Sequence, residues 1–135
     1  MLKRTVHLKL PSGTDLPEKD SAAYRLFLGW LVKKIGIKSD SISVSLVNKS
    51  AEKGCLSYHE FSENSKTIAV RYEGRAMIDI FRNLAKEFQH INQYEKDGEW
   101  QGIVWAKEGE AAAISGQLIK KFMVDHPECK WIYKY

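Results

Sequence analysis

The sequence predicts an α+β fold in which helices pack on a small antiparallel sheet. Four short segments alternate apolar and polar residues, and three longer segments repeat apolar residues at helical spacing. The composition, with 44% hydrophobic and 28% charged residues, is that of an ordinary globular protein. A chain of 135 residues fits one domain, 1–135, that buries roughly two thirds of its unfolded surface.

The strands are predicted from the period-two segments. The first runs from Thr5 to Leu10, with its apolar residues on one face. Three further runs, 41–48, 55–61 and 66–72, are separated by short polar links of hairpin length. We therefore expect these three runs to form an antiparallel meander, in which each strand pairs with the next.

Three amphipathic helices are predicted around these strands. The first follows Pro17, and Gly36 fits its C-terminus. The second extends from Met77 to about Glu95 and the third from about Trp105 to Phe122, while the aromatic tail after them has no pattern that assigns its structure. One stripe of the second helix is apolar and must face the core: Met77, Ile80, Phe81, Leu84, Phe88 and Ile91.

Composition also bears on location and partners. No apolar run approaches the ~20 residues of a membrane span, and the N-terminal segment lacks the features of a secretory signal. We expect a cytoplasmic location, no membrane partner, and cysteines Cys55 and Cys129 that act as small buried thiols rather than a disulfide. The net charge of +4 keeps nucleic acid open as an alternative partner, but the basic residues form no stripe.

The polar side of the second helix carries Lys86, Glu87 and His90 on one surface, the first and last of them a helical turn apart. Taken alone, these residues are also what any solvated helix face contains. Their flanks are more specific. The segment Leu84-Ala-Lys-Glu-Phe-Gln-His-Ile-Asn-Gln-Tyr94 resembles the active-site helix of zincin metallopeptidases, whose His-Glu-x-x-His motif often follows Leu-Ala and, in some small members, precedes x-x-Gln-Tyr.

The resemblance implies roles for these positions. In zincins, two histidines at i and i+4 hold zinc from one helix face, and the glutamate after the first histidine is the general base. The resemblance therefore implies that Glu87 occupies the general-base position and His90 a metal-ligand position. Lys86 stands where the first histidine belongs.

A third ligand is implied on the next helix, because the gluzincin branch takes a glutamate from a Glu-x-x-Ala context there. The segment Lys107-Glu-Gly-Glu-Ala-Ala-Ala-Ile114 resembles that pattern. Helical phasing places Glu108 with the small and apolar residues that would face the second helix, and it points Glu110 nearly the opposite way. Glu108 is therefore the predicted ligand. The residues that share its face are Ala111, Ala112, Ser115, Ile119 and Phe122.

Lys86 changes the expected chemistry. A lysine ligates zinc only as the neutral amine, and neutralising it at pH 7 costs roughly 4.6 kcal/mol from an ordinary pKa of about 10.4. One histidine and one carboxylate are fewer than the three protein ligands of catalytic zinc sites. We therefore expect weak or absent zinc binding and no peptidase activity, with the Lys86 ammonium neutralising Glu87 or Glu108. A substitute ligand, His59 or His126, would restore the site.

The function predicted from these observations is a metallopeptidase-like domain of the minimal gluzincin type, inactive and retained as a peptide-binding, protein-binding or regulatory module. The strand with Tyr58 and His59 is predicted to border the cleft and to hold an extended peptide by backbone pairing, although His59 also fits an ordinary strand residue. Two alternatives are an active zinc peptidase with a substitute ligand and a small basic nucleic-acid-binding protein.

Overall fold

The computed structural model describes residues 5–9, 18–47, 57–61, 65–97 and 104–134. The predicted α+β class is confirmed, with four strands in one mixed sheet. The elements are β1 (Thr5–Lys9), α1 (Glu18–Ile35), β2 (Ser41–Val47), β3 (Ser57–Phe61), β4 (Ser65–Arg71), α2 (Met77–Asp97), α3 (Val104–Asp125) and a C-terminal 3-10 helix (Pro127–Lys134). Within these ranges, no helix combines the length and apolarity that a membrane span requires.

The strand order is β1-β2-β4-β3, so the predicted meander is wrong in part. The hairpin of β3 and β4 is antiparallel as expected, but β2 pairs in parallel with β4, from Ser41 opposite Ser65 to Val47 opposite Arg71. Each strand's composition explains its place. β4 is longer and its inner face is buried, whereas β3 is short and polar, which suits the edge of a sheet.

One face of the sheet carries the helices. Alternate residues of β2 and β4 are buried, and the residues between them remain partly exposed. α1 and α2 pack on the buried face, where rings from three helices meet: Phe27 of α1 lies 4.6 Å from Phe81 of α2 and 4.8 Å from Phe122 of α3, measured between centroids. All six residues of the predicted apolar stripe of α2 are buried in this core.

The end of α1 is fixed at both the backbone and side-chain level. Gly36 adopts a φ of 80°, a left-handed conformation that glycine takes without strain. The amides of Gly36 and Ile37 both donate to the carbonyl of Val32, at 3.1 Å, which closes the helix as predicted. Beyond it, the Glu95 carboxylate of α2 accepts hydrogen bonds from the amides of Lys38 and Ser39, at 2.9 and 2.8 Å, and from the Ser39 hydroxyl.

Because this carboxylate satisfies three donors just before β2, we expect Glu95→Gln to lower the free energy of unfolding by about 2 kcal/mol. The amide keeps the shape of the side chain but offers one acceptor oxygen and no charge. Urea unfolding of both proteins measures the difference. Glu73→Gln, at an exposed position, is the matched control and should change stability by less than about 0.5 kcal/mol; equal losses would contradict the assigned role.

The C-terminal 3-10 helix closes the core. Cys129 and Ile132 are buried in it, and the Trp30 indole of α1 donates to the Asp125 carboxylate at the end of α3, at 2.8 Å. Cys129 is a free thiol, and burial raises its pKa, so little reactive thiolate is present at neutral pH. The expectation of a buried thiol is confirmed for Cys129, while Cys55 lies outside the described residues.

Candidate functional site

The polar side of α2 is covered. Glu87 and His90 are buried because α2 packs on the sheet, against β3 and β4, and α3 packs across it. Lys86 is half-buried. The interpretation of this side as a solvated helix face is therefore wrong for Glu87 and His90. Two charged or titratable side chains inside the fold require a polar partner.

Glu87 has such a partner in His59 of β3. The His59 Nδ1 atom lies 2.8 Å from Glu87 Oε2, and the two side chains are 27% and 3% exposed. β3 brings them together because His59 and Phe61, two residues apart, share the strand face that looks toward α2. Nδ1 is therefore the ring nitrogen that faces the carboxylate in this His59–Glu87 pair.

His90 is oriented through α3. The Gln93 side-chain amide donates to Glu110 Oε1 at 3.0 Å, so its oxygen faces His90 and lies 2.8 Å from His90 Nδ1. In this His90–Gln93–Glu110 chain, Nδ1 donates to the Gln93 side-chain oxygen. The same support orients imidazoles that bind metals or transfer protons. The His59 and His90 rings lie 5.6 Å apart between centroids.

The position of Glu110 corrects the phasing argument made from sequence. Its side chain reaches α2 instead of pointing away, because ideal phasing fixes only the direction of Cβ and a glutamate spans the remaining gap. Glu108 lies in α3, but its side chain is outside the described residues, as is that of Tyr58, so both roles stay predictions. On the predicted small and apolar face, Ala111, Ser115, Ile119 and Phe122 are buried and Ala112 is exposed.

Lys86 lines a groove between α2 and α3. This α2–α3 groove has a volume of about 370 Å³, and its lining residues are Arg75, Asp79, Arg82, Asn83, Lys86, Ala112 and Ser115. Lys86 and Glu87 are adjacent in sequence but contribute to different surroundings, since the Glu87 carboxylate meets His59. Neutralisation of Glu87 or Glu108 by Lys86 stays a prediction.

The described donors do not fit a catalytic zinc centre. Among the side chains that the structure describes, no three from His, Cys, Asp and Glu are placed to hold a metal ion. Lys86 stands where the first ligand histidine of a zincin would be, and the Glu87 carboxylate already contacts His59. His126, the other substitute considered from sequence, contacts Glu128 beyond the end of α3. Catalytic zinc requires three protein ligands, so we derive no reaction step through zinc.

Comparison with known proteins gives no relative. No protein-family model matches this chain, and neither the curated proteins nor the solved structures contain a match. What the protein does must therefore follow from its own residues.

The roles of two residues near the site were not predicted from the sequence. Gln93 was given no role beyond its place in the flank of the motif, although its i+3 spacing from His90 makes it a neighbour on the helix. Lys66 is 1% exposed, and its Nζ lies 5.1 Å from the centre of the Tyr94 ring. The alternation of β4 places Lys66 on the same face as Ile68 and Val70, although a lysine is rarely found on a buried face, and only the packing of α2 supplies its contact with Tyr94.

Proposed function

We propose that this protein is a metallopeptidase-like domain of the minimal gluzincin type that binds peptides and does not cleave them. The observation that supports it most is the His59–Glu87 pair beside His90. Glu87 and His90 were selected from the resemblance of α2, and His59 from its place on a strand expected to border the cleft. The structure brings these three residues together, so the prediction from the helix and the prediction from the strand point to the same place.

The binding mode follows from the position of β3. Among the described strands β1 and β3 lie at the two edges of the sheet, and β3 has β4 on one side only, so its other edge can pair with an added strand. A peptide that adds there gains backbone hydrogen bonds and lies next to His59. The His59 ring, which is 27% exposed, is then available to contact polar groups of the peptide, and the Glu87 carboxylate fixes its orientation.

Binding without cleavage follows from the charges. A zinc ion lowers the pKa of its bound water to about 7, which creates a nucleophile at neutral pH. An ammonium such as that of Lys86 can hydrogen-bond a carbonyl oxygen but cannot activate water in this way. The Glu87–His59 contact, with the buried His90 ring behind it, is therefore proposed to support a binding surface at His59.

Metal content and cleavage test this proposal directly. Protein purified without chelator should contain much less than one equivalent of zinc by mass spectrometry, and it should leave a randomised octapeptide pool intact after prolonged incubation. The matched variant Glu87→Gln should behave identically in both assays. Stoichiometric zinc, together with cleavage that Glu87→Gln abolishes, would instead establish an active peptidase with a substitute ligand.

Peptide binding is tested by backbone NMR with the same pool. We expect chemical-shift changes in the β3 amides and slower hydrogen exchange there, because an added strand protects them. A pool with N-methylated backbone amides cannot complete the ladder and should produce neither effect. Equal effects from both pools, or changes confined to other elements, would contradict pairing at β3.

A further inference from the structure

We propose that the peptides bound at β3 have an aromatic–basic–aromatic sequence. In such a peptide two aromatic side chains lie beside the rings of His59 and Phe61, and a lysine or arginine lies beside Glu60. This inference rests on the proposed peptide-binding function and specifies its ligand class. Its basis is the alternation of β3, the contacts of its rings and the exposure of its carboxylate.

The two faces of β3 differ in chemistry. The His59 ring contacts Glu87 of α2. The Phe61 ring contacts Tyr94 of the same helix, so both rings lie on the face that α2 covers. Successive side chains of a strand alternate between faces, so Glu60 lies on the opposite face, where it is exposed. An added strand alternates in the same way whichever direction it runs, and three of its consecutive residues therefore lie next to residues 59–61.

The rings of β3 form a stacked pair that can accept further aromatic side chains. The Phe61 ring lies 4.4 Å from the His59 ring with 19° between their planes, and it meets the Tyr94 ring edge-on at 5.7 Å. Both His59 and Phe61 are partly exposed, although α2 covers them and β4 lies beside them. No described strand lies on the remaining side, which is the open edge of β3. Aromatic residues directly opposite on an added strand would therefore meet these rings, in one of the favourable cross-strand pairings.

Glu60 determines which residue suits the centre of the peptide. Its neighbour across the ladder is Thr67 of β4, and the next residues of β4 on that face, Ser65 and Ala69, are also uncharged. A lysine or arginine opposite Glu60 is then a favourable cross-strand pair, whereas a carboxylate there is repelled. The net charge of the whole chain, +4, favours acidic peptides instead. A preference for a basic residue must therefore come from this local pair.

The first test compares the capped peptides acetyl-Thr-Tyr-Lys-Tyr-Thr-amide and acetyl-Thr-Tyr-Glu-Tyr-Thr-amide by NMR titration of the whole chain. We expect the lysine peptide to bind about fivefold more tightly, to shift the amides of residues 57–61, and to lose part of this advantage at high salt. Glu60→Lys should reverse the order of the two peptides, because the glutamate peptide then supplies the opposite charge. Glu73→Lys makes the same charge change at an exposed position in the turn after β4 and should leave the order as it is.

A third peptide, acetyl-Thr-Ser-Lys-Ser-Thr-amide, tests the contribution of the rings. It retains the lysine and should bind about tenfold more weakly than the tyrosine peptide with the same central residue, because two aromatic pairs are lost. In Phe61→Leu the side chain stays apolar but has no ring, so the advantage of the tyrosine peptide should fall to about threefold. Dispersed spectra of the variants establish that each is folded.

Other outcomes overturn the inference. Equal affinity of the lysine and glutamate peptides, or an order that Glu60→Lys does not reverse, would exclude recognition by Glu60. Equal affinity of the serine and tyrosine peptides would exclude recognition by the rings. In these cases shifts at residues 57–61 would still support the proposed peptide site, whereas no shift there with any peptide would overturn that site as well. Shifts of these residues that grow with protein concentration alone would assign the edge to a second copy of the chain.

Discussion

Phe27→Ala is expected to lower the free energy of unfolding by about 4 kcal/mol. Phe27 is fully buried where α1, α2 and α3 meet, with its ring stacked on Phe81 and edge-on to Phe122. Alanine removes the ring from both contacts and leaves a cavity that three helices cannot close without moving. The lost transfer free energy and the cavity term therefore add.

Urea unfolding at constant temperature measures this loss, with the midpoint and slope fitted separately. Leu26→Ala is the control, because Leu26 is the neighbouring residue of α1 but is 39% exposed, and alanine has a similar or better helix propensity. It should cost less than about 1 kcal/mol. A decrease in the free energy of unfolding below about 1 kcal/mol for Phe27→Ala would mean that the aromatic cluster does not hold the helices together.

The strands and the three long helices of this fold were predictable because each has its own hydrophobic period, whereas the C-terminal 3-10 helix has none that assigned it. The stripe of α2 and the glycine that ends α1 lie where helical spacing and left-handed φ require them. Strand pairing was not predictable in the same way, because alternation tells which side of a strand is buried and not which strand lies beside it. The hairpin link correctly joined β3 to β4, but the parallel pairing of β2 with β4 depends on burial in the whole sheet.

The residues of the candidate site were likewise predictable only in part. The resemblance of the segment from Leu84 to Tyr94 predicted Glu87 and His90 as site residues, and the strand argument predicted His59, which the structure brings to 2.8 Å from Glu87. The contact of Glu110 with Gln93 was missed, because it depends on how two helices approach and on the reach of a flexible side chain. The α2–α3 groove was missed too, since its lining residues come together only when α3 packs against α2.

Lys86→His is expected to raise zinc affinity roughly a hundredfold. Four-ligand structural zinc sites bind with about 10–16 kcal/mol, so one ligand contributes about 3 kcal/mol, which is close to that factor. The substitution removes a cation that repels zinc and places a second imidazole one turn before His90. The His90–Gln93–Glu110 chain already fixes the orientation of the His90 ring, so little order must be gained on binding.

Two control variants separate the causes of such a gain, with affinity measured by titration calorimetry of the metal-free proteins. Lys86→Gln removes the ammonium without adding a ligand and should recover only the small part that is due to repulsion. Adding His90→Ala to Lys86→His should cancel the gain, since the imidazole one turn away is then lost. If Lys86→His binds zinc no better than Lys86→Gln does, position 86 does not face the same space as His90, and the proposal of a metallopeptidase-like site loses its geometric basis. Zinc bound by Lys86→His without peptide cleavage would show that Glu87, held by His59, is not free to act as the general base.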